Sequence, residues 1–299
     1  MNQLYLKGDK LTFNWIKTFW MYLFIIPSAI YVWDTANWKL GVISFCLTFF
    51  IVGIGHSIGL HRGIIHKSYK TTRLFRNIMS YLFVLTGLGS PLAWLKLHYI
   101  RDYWQNREDS PLYFQYHHSI LKDYWWYLHL SYIPQDLSRY EIPSNDINDP
   151  WLNWLDKTWY IHVLGTCVLV WFCLGFDALI ILMTLRISLT MLGHWFIGYV
   201  THKYGYSNYK VSEADVSGTN TWFLGLISFG EGFHNNHHAH PNSAKFGLNW
   251  YEIDISWYII KLFRILGLVW NVKEAGKDDT LKKRANIHNR KWSFPFLNK

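Results

Sequence analysis

The chain has 299 residues, room for one large domain or two small ones, and 51% of them are hydrophobic and 19% aromatic. Its three cysteines, Cys46, Cys167 and Cys173, all lie in apolar runs without C-x-x-C spacing, which excludes a disulfide framework and an iron–sulfur ligand set. The net charge of +9 suits either nucleic acid or an anionic membrane face; the basic residues are spread along segment ends with no recognition module, so nucleic acid is the poorer partner.

The N-terminus is polar with scattered lysines and lacks the short apolar stretch and small-residue site of a cleaved signal peptide. A membrane-spanning helix needs roughly 20 mainly apolar residues. The first candidate covers about residues 13–33 and the second about 40–60, joined by a short turn. A third apolar stretch, about 74–95, carries Gly87, Gly89, Ser90 and Pro91, breakers that point to a half-embedded or interfacial segment. Residues 159–176 and 178–200 form a second pair of spans, turned near Gly175. Eighteen tryptophans and twenty tyrosines suit membrane interfaces, where an apolar ring body and a polar tip are both satisfied.

Loop charges set the orientation. Lys7, Lys10 and Lys17 open the first span, Arg62, Lys67, Lys70, Arg73 and Arg76 follow the second, and Lys203 and Lys210 follow the fourth. The hairpin tips carry only Lys39, so both termini are expected to be cytoplasmic. The expected fold is all-α and integral to the membrane: four transmembrane helices in two hairpins, with a cytoplasmic helical cap from residues 61–158 and 201–299. The whole of 1–299 reads as a single domain. A basic tail (Lys277, Lys282, Lys283, Arg284, Arg290, Lys291) suits anionic headgroups.

Most of the fifteen histidines gather in a few places on the cytoplasmic side. His61 and His66 bracket Arg62-Gly63-Ile64-Ile65, His98 precedes Arg101 and Asp102, His202 closes the fourth span, and His234, His237 and His238 follow Gly230-Glu231-Gly232. Neutral imidazole is a common ligand for iron, zinc and copper. His234 and His238, four apart on a helix, meet one ion; His237 points roughly 100° away from His238, so the three splay toward two sites. His61 and His66, five apart, pair poorly on an ideal α-helix and are expected to serve different ions unless Gly63 breaks the helix. His56, His129, His162 and His288 stand outside the clusters and read as structural.

The motifs His61-Arg62-x-x-x-His66 and Gly230-Glu231-Gly232-Phe233-His234-Asn235-Asn236-His237-His238 resemble the first and last histidine boxes of the membrane acyl-CoA (fatty-acyl) desaturases. The likeness runs over roughly residues 15–270 and includes the segment from Leu185-Arg186 to His202. It implies a cytosol-facing di-iron centre, a bent apolar acyl tunnel, and O₂-dependent conversion of a CH₂–CH₂ unit into a cis double bond. Electrons come from an external donor of ferredoxin or cytochrome b5 type, since no heme motif or cysteine cluster is present in the chain. Carried over by position, the metal ligands are His61, His66, His98, His202, His234, His237 and His238.

Two positions depart from the family. Its middle box is His-x-x-His-His, but here it reads His98-x-x-Arg101-Asp102, similar to a variant among bacterial members and implying a bacterial inner membrane. Its asparagine four residues before the last span's histidine is Gly198 here. Asp102 offers a replacement carboxylate, while His194, His56, Glu231 and Arg101 are candidates for supporting the ligands or for ligation itself. Trp195, Trp222 and Arg186 are candidates for the acyl tunnel; a charged residue inside a span faces the interior and finds a partner there. His117-His118 reads as a loop pair. The alternatives to desaturation are a lipid hydroxylase or ketolase with the same centre, and a non-catalytic metal-binding homologue.

Overall fold

A computed structural model describes residues 4–105, 107, 109–210 and 218–275. His288 and the basic tail lie outside the described residues. Four helices are long and apolar enough to cross a membrane: α1 (Trp15–Thr35), α2 (Trp38–Ile65), and, after an intervening segment, Pro150–Leu174 and Phe176–Thr201. The protein is a helical membrane protein. The third span starts well before residue 159, because Asp149 caps it, accepting from Leu152 N at 2.9 Å, with Pro150 at its first position.

Between α2 and that third span lie α3 (Arg73–Val84), α4 (Pro91–Gln105) and α5 (Ile120–His129); the spans Pro150–Leu174 and Phe176–Thr201 are then α6 and α7. After them come α8 (Trp222–Ile227), α9 (His234–Ala239) and α10 (Ile255–Ile265). The apolar stretch of about 74–95 is therefore two helices with a break. Gly87 and Gly89 take φ of +80° and +105° there, a conformation that costs glycine nothing. The shorter of the pieces, α3, lies directly on α2: a Cβ at Gly55 would stand 2.5 Å from Phe83 N, and one at Gly59 2.5 Å from Met79 Cβ.

Two short antiparallel ladders fasten the helices. Lys10–Phe13 pairs with Leu130–Ile133, tying the chain before α1 to the end of α5, and Lys70–Thr71 pairs with Val269–Trp270 beyond α10. Trp20, Met21 and Phe24 of α1 pack with Met183, Ile187 and Met191 of α7. Leu60, Ile64 and Ile65 of α2 pack with Leu92 and Leu95 of α4. Trp15 (77% exposed), Phe45 (73%) and Phe172 (89%) leave an apolar outer face that suits lipid and not water.

Candidate metal centre

The second span changes its winding where it meets the histidines. From Phe49 to Ile65 it is a π-helix, closed by His66 N donating to His61 O at 3.1 Å. In that winding residues five apart share a face. His56, His61 and His66 therefore follow one another on one side, with ring centroids 6.1 and 4.8 Å apart. The expectation that His61 and His66 turn toward different ions assumed an α-helix; the wider turn brings them together.

His98 reaches the same place from α4 and His237 from α9. The ring nitrogens of His61, His66, His98 and His237 all lie within 4.8 Å of one another. His202, His234 and His238 form a second such group. In α9, His237 and His238 thus turn to different clusters, one residue's rotation apart. Asp102, one turn after His98, places Oδ2 3.2 Å from His98 Nε2 and 4.0 Å from His66 Nε2, at the edge of the first cluster. Burial, the largest cause, holds the His66 ring's pKa down to about 3 and that of His238 to about 4, and it pushes His202, His234 and His237 well below the usual value. Neutral imidazoles with free lone pairs are the form that binds metal.

The donor set fits cations in both places. Two ligands about 2.1 Å from one ion, at a right angle, stand about 3.0 Å apart. His66 Nε2 and His98 Nε2 are 2.9 Å apart, and His234 Nε2 and His238 Nε2 3.0 Å. Each pair taken alone also reads as an imidazole–imidazole hydrogen bond. The buried nitrogens His61 Nε2, His202 Nε2 and His237 Nδ1, which have no hydrogen-bond partner among the described residues, favour an ion. A cavity of about 430 Å³ runs between α2 and α7 to the clusters, its walls mainly apolar. His56, His194, Trp94 and Arg186 line it, as do Arg101, Asp102 and Glu231.

Over residues 36–263 the chain matches the model of the fatty acid desaturase family. The chain belongs to that family. It is 30% identical to an acyl-CoA C20 Delta5-desaturase of Anemone leveillei, over 87% of this chain and 80% of that one. To a sn-1 stearoyl-lipid 9-desaturase of Anabaena variabilis it is 30% identical, over 88% and 95%. A sn-2 palmitoyl-lipid 9-desaturase of Nostoc is 29% identical, over 89% and 92%. The protein is an oxidoreductase that desaturates fatty-acyl chains, and its histidine groups form a metal centre.

In this desaturase the clustered imidazole rings are held from behind. Glu231 Oε2 lies 2.6 Å from His61 Nδ1, and its other oxygen accepts from Ser57 Oγ at 2.5 Å. Burial pushes the Glu231 carboxyl up to about 7. His202 Nδ1 donates to Gly198 O at 2.8 Å, which turns Nε2 toward the second cluster. Arg62, between the two halves of the first box, is fully buried and forks onto Asp254, at 3.0 and 3.1 Å, while also donating to Ala244 O and Phe229 O. Asn235 and Asn236 anchor α9: Asn235 Oδ1 accepts from the backbone of Asn208 and Tyr209, and Asn236 binds Asn220, Phe246 O and Glu252. Sequence reasoning passed over Ser57, Arg62, Asp254 and the two asparagines. Their signal was position, inside or beside the histidine boxes.

Other candidates fall elsewhere. Trp195 and Trp222 are not among the residues lining this cavity; Trp195 Nε1 donates to Asp123 Oδ1 and Trp222 Nε1 to Tyr251 O. His194 Nδ1 meets Tyr127 OH at 3.2 Å and its ring lies 5.1 Å from that of His56, on the cavity wall and in neither cluster. His117 is exposed, and His118 pairs with Asp123 at 2.6 Å. Arg101 donates to Tyr116 OH at 3.3 Å, and the Tyr116 ring stacks on His202 at 4.2 Å.

Proposed function

We propose that this desaturase holds two iron ions, one among His61, His66, His98, His237 and Asp102, the other among His202, His234 and His238. What a bound iron pair supplies is oxidising power: with O₂, two electrons from an external donor of ferredoxin or cytochrome b5 type and two protons, a CH₂–CH₂ unit becomes CH=CH and two waters form. The residues of the chain do the rest. Glu231 keeps the proton of His61 on Nδ1, and the Gly198 carbonyl keeps that of His202 on Nδ1, so each ring offers Nε2 inward. The apolar walls between α2 and α7 hold the acyl chain and exclude water, which protects the reacting carbons from side reactions. His56, His194 and Trp94 form the wall where the cavity meets the first cluster.

The substrate is a fatty-acyl chain, as acyl-CoA or esterified lipid; relatives of both descriptions support this class. Phe45 and Leu189 line the cavity and are 73% and 61% exposed, so an acyl chain reaches it from the lipid side. The loop charges favour cytoplasmic termini in a bacterial inner membrane, with residues 1–299 acting as one domain.

The observation that carries this reading is the convergence of seven imidazoles, six of them buried and His234 half-buried, on or at the ends of α2, α4, α7 and α9 at one end of an apolar cavity. The test is detergent-purified protein loaded with ferrous iron, assayed for iron per chain and for new double bonds in added acyl lipids by mass spectrometry. Iron binding and a new cis double bond, both lost in His237→Ala, are the expected result. Metal-loaded protein that yields hydroxylated chains instead identifies the hydroxylase alternative, since both reactions begin by removing a hydrogen from the chain.

A further inference from the structure

Arg186 lies inside the fourth span and is 2% exposed. Its Nε donates to Leu182 O at 2.8 Å and its Nη2 to Leu85 O at 3.0 Å. Nη1 has no hydrogen-bond partner among the described residues, and no carboxylate there forms an ion pair with the group. A guanidinium stays charged in proteins, so the charge and the Nη1 donors cannot be removed by deprotonation. Backbone carbonyls satisfy part of the fork only. In a span, a cation left this way marks a ligand or an ion pathway.

Arg186 is among the residues that line the cavity, and the hydroxyls of that wall give their protons to backbone, Ser44 to Ile181 O, Thr48 to Ser44 O and Thr190 to Arg186 O, while none of them accepts from Nη1. Beside it the wall is Ile181, Leu185 and Leu189. A charged donor is therefore set in a mainly apolar stretch of the cavity wall, away from the two histidine clusters. It precedes His194 by eight residues, about 12 Å of helix. A methylene chain with bonds of about 1.5 Å at roughly 111° advances about 1.25 Å per carbon, so Arg186 stands about ten carbons beyond the level of His194.

We propose that Arg186 binds an oxygen acceptor carried by the lipid chain in this cavity: a carboxylate, carbonyl or hydroxyl about ten carbons from the level of His194. The proposal rests on the reading of the cavity as an acyl site. A chain bearing oxygen at that distance satisfies Nη1 and neutralises or solvates the charge; a plain hydrocarbon leaves it bare. The oxygen has two sources, the distal part of an oxygenated acyl chain or the carboxylate of a free fatty acid lying in the opposite sense.

Binding of four probes to the detergent-purified full chain separates them: methyl hexadecanoate, methyl 16-hydroxyhexadecanoate, the monomethyl ester of hexadecanedioic acid, and hexadecanoic acid. A hydrogen bond to a charged donor is worth about tenfold in affinity. Tighter binding of the hydroxy and dicarboxylic esters by about that factor, abolished in Arg186→Met and partly kept in Arg186→Lys, identifies a distal oxygen. Tighter binding of the free acid alone, with the same dependence on Arg186, identifies a head carboxylate. Equal affinity of all four for the parent protein overturns the proposal without needing any variant, as does a preference that survives in Arg186→Met. A diazirine-bearing hexadecanoate tests the cavity separately: labelling of Ile181 or Leu189 with no oxygen preference refutes the role of Arg186 alone, and no labelling anywhere along the cavity refutes the acyl site as well.

Discussion

Replacing Arg62 by methionine tests what holds the histidine boxes in register. The guanidinium is fully buried, and it makes bonds of 2.8 Å to Ala244 O, 3.0 Å to Phe229 O, and 3.0 and 3.1 Å to the two oxygens of Asp254. Its plane also covers the Phe246 ring, 3.8 Å from the centroid. Asp254 is 1% exposed and caps α10, accepting from Trp257 N, and its Oδ2 accepts from Phe246 N as well. Methionine fills the stem volume but leaves that carboxylate buried without its guanidinium, and takes the Arg62 donors from Ala244 O and Phe229 O, of which the latter still accepts from Ser57 Oγ. Breaking one side of a buried pair costs about 3–5 kcal/mol. At about 2.1 cal/mol/K of unfolding entropy per residue over 299 residues, that is a fall of about 5–8 °C in the unfolding temperature. Arg62→Lys keeps the charge but loses the fork, so it falls between. Asp254→Asn added to Arg62→Met removes the stranded charge and recovers most of the loss. The assay is thermal unfolding in detergent, followed by tryptophan fluorescence. An Arg62→Met protein within about 1 kcal/mol of the parent, or a double variant no better than the single, refutes the argument that this pair carries the joint between the first and last boxes.

Glu231→Gln keeps the shape but gives up the carboxylate facing His61 Nδ1, and it lowers iron affinity about 10–100-fold, measured by chelator competition. Arg101→His adds an imidazole beside His202 and removes a cation, and it raises the iron retained at a fixed chelator concentration; no gain would show that Arg101 does not limit the second site. Acid weakens the metal-free fold: His66 and His238 have folded pKa values of about 3 and 4 against 6.5 unfolded, so their contribution is whole above pH 6.5 and is lost as pH falls from there toward 4. Each such group contributes a slope of about 1.4 kcal/mol per pH unit in that window. Glu231 opposes it, since a pKa raised to about 7 from 4.5 adds stability as pH falls through that range, but it is one group against several. A flat unfolding temperature from pH 6.5 to 4.5 would count against the buried neutral imidazoles.

The spans were legible because about 20 apolar residues in a row have few other uses. Their ends were less so: the third span's first turn, Trp151-Leu152-Asn153-Trp154, mixes polar and aromatic residues, and only Asp149-Pro150 marks the start. The π-winding of α2 was hidden for a physical reason. A helix with apolar residues on every side shows no periodic face from which to read its pitch. The five-residue steps from His56 to His61 to His66 were the one trace of it, and against an α-helical pitch they look like a misfit. Splaying of His237 from His238 needed only the rotation per residue and was readable. Aromatic side chains were the weakest guide. Trp94, Trp195 and Trp222 are alike in sequence, and only Trp94 lines the cavity.

Arg101 and Gly198, two departures in sequence, are one arrangement in space. A Cβ on Gly198 would stand 3.8 Å from Arg101 Nη2, so the guanidinium lies beside the position from which an asparagine side chain would extend. Tyr116 fixes it there, accepting from Arg101 Nη2 and Gln105 Nε2 while its ring covers His202. A larger residue at 198 and an arginine at 101 would contend for that space, and each change makes room for the other. The electrical consequence follows from the same geometry. The first cluster sets a carboxylate, Asp102, against four imidazoles; the second sets a guanidinium near three. Like charge disfavours a cation and opposite charge favours it, by amounts that grow as water is excluded. On the two-ion reading the Asp102 side is therefore expected to fill first on titration with ferrous iron, an order set by the residues at 101, 102 and 198 together.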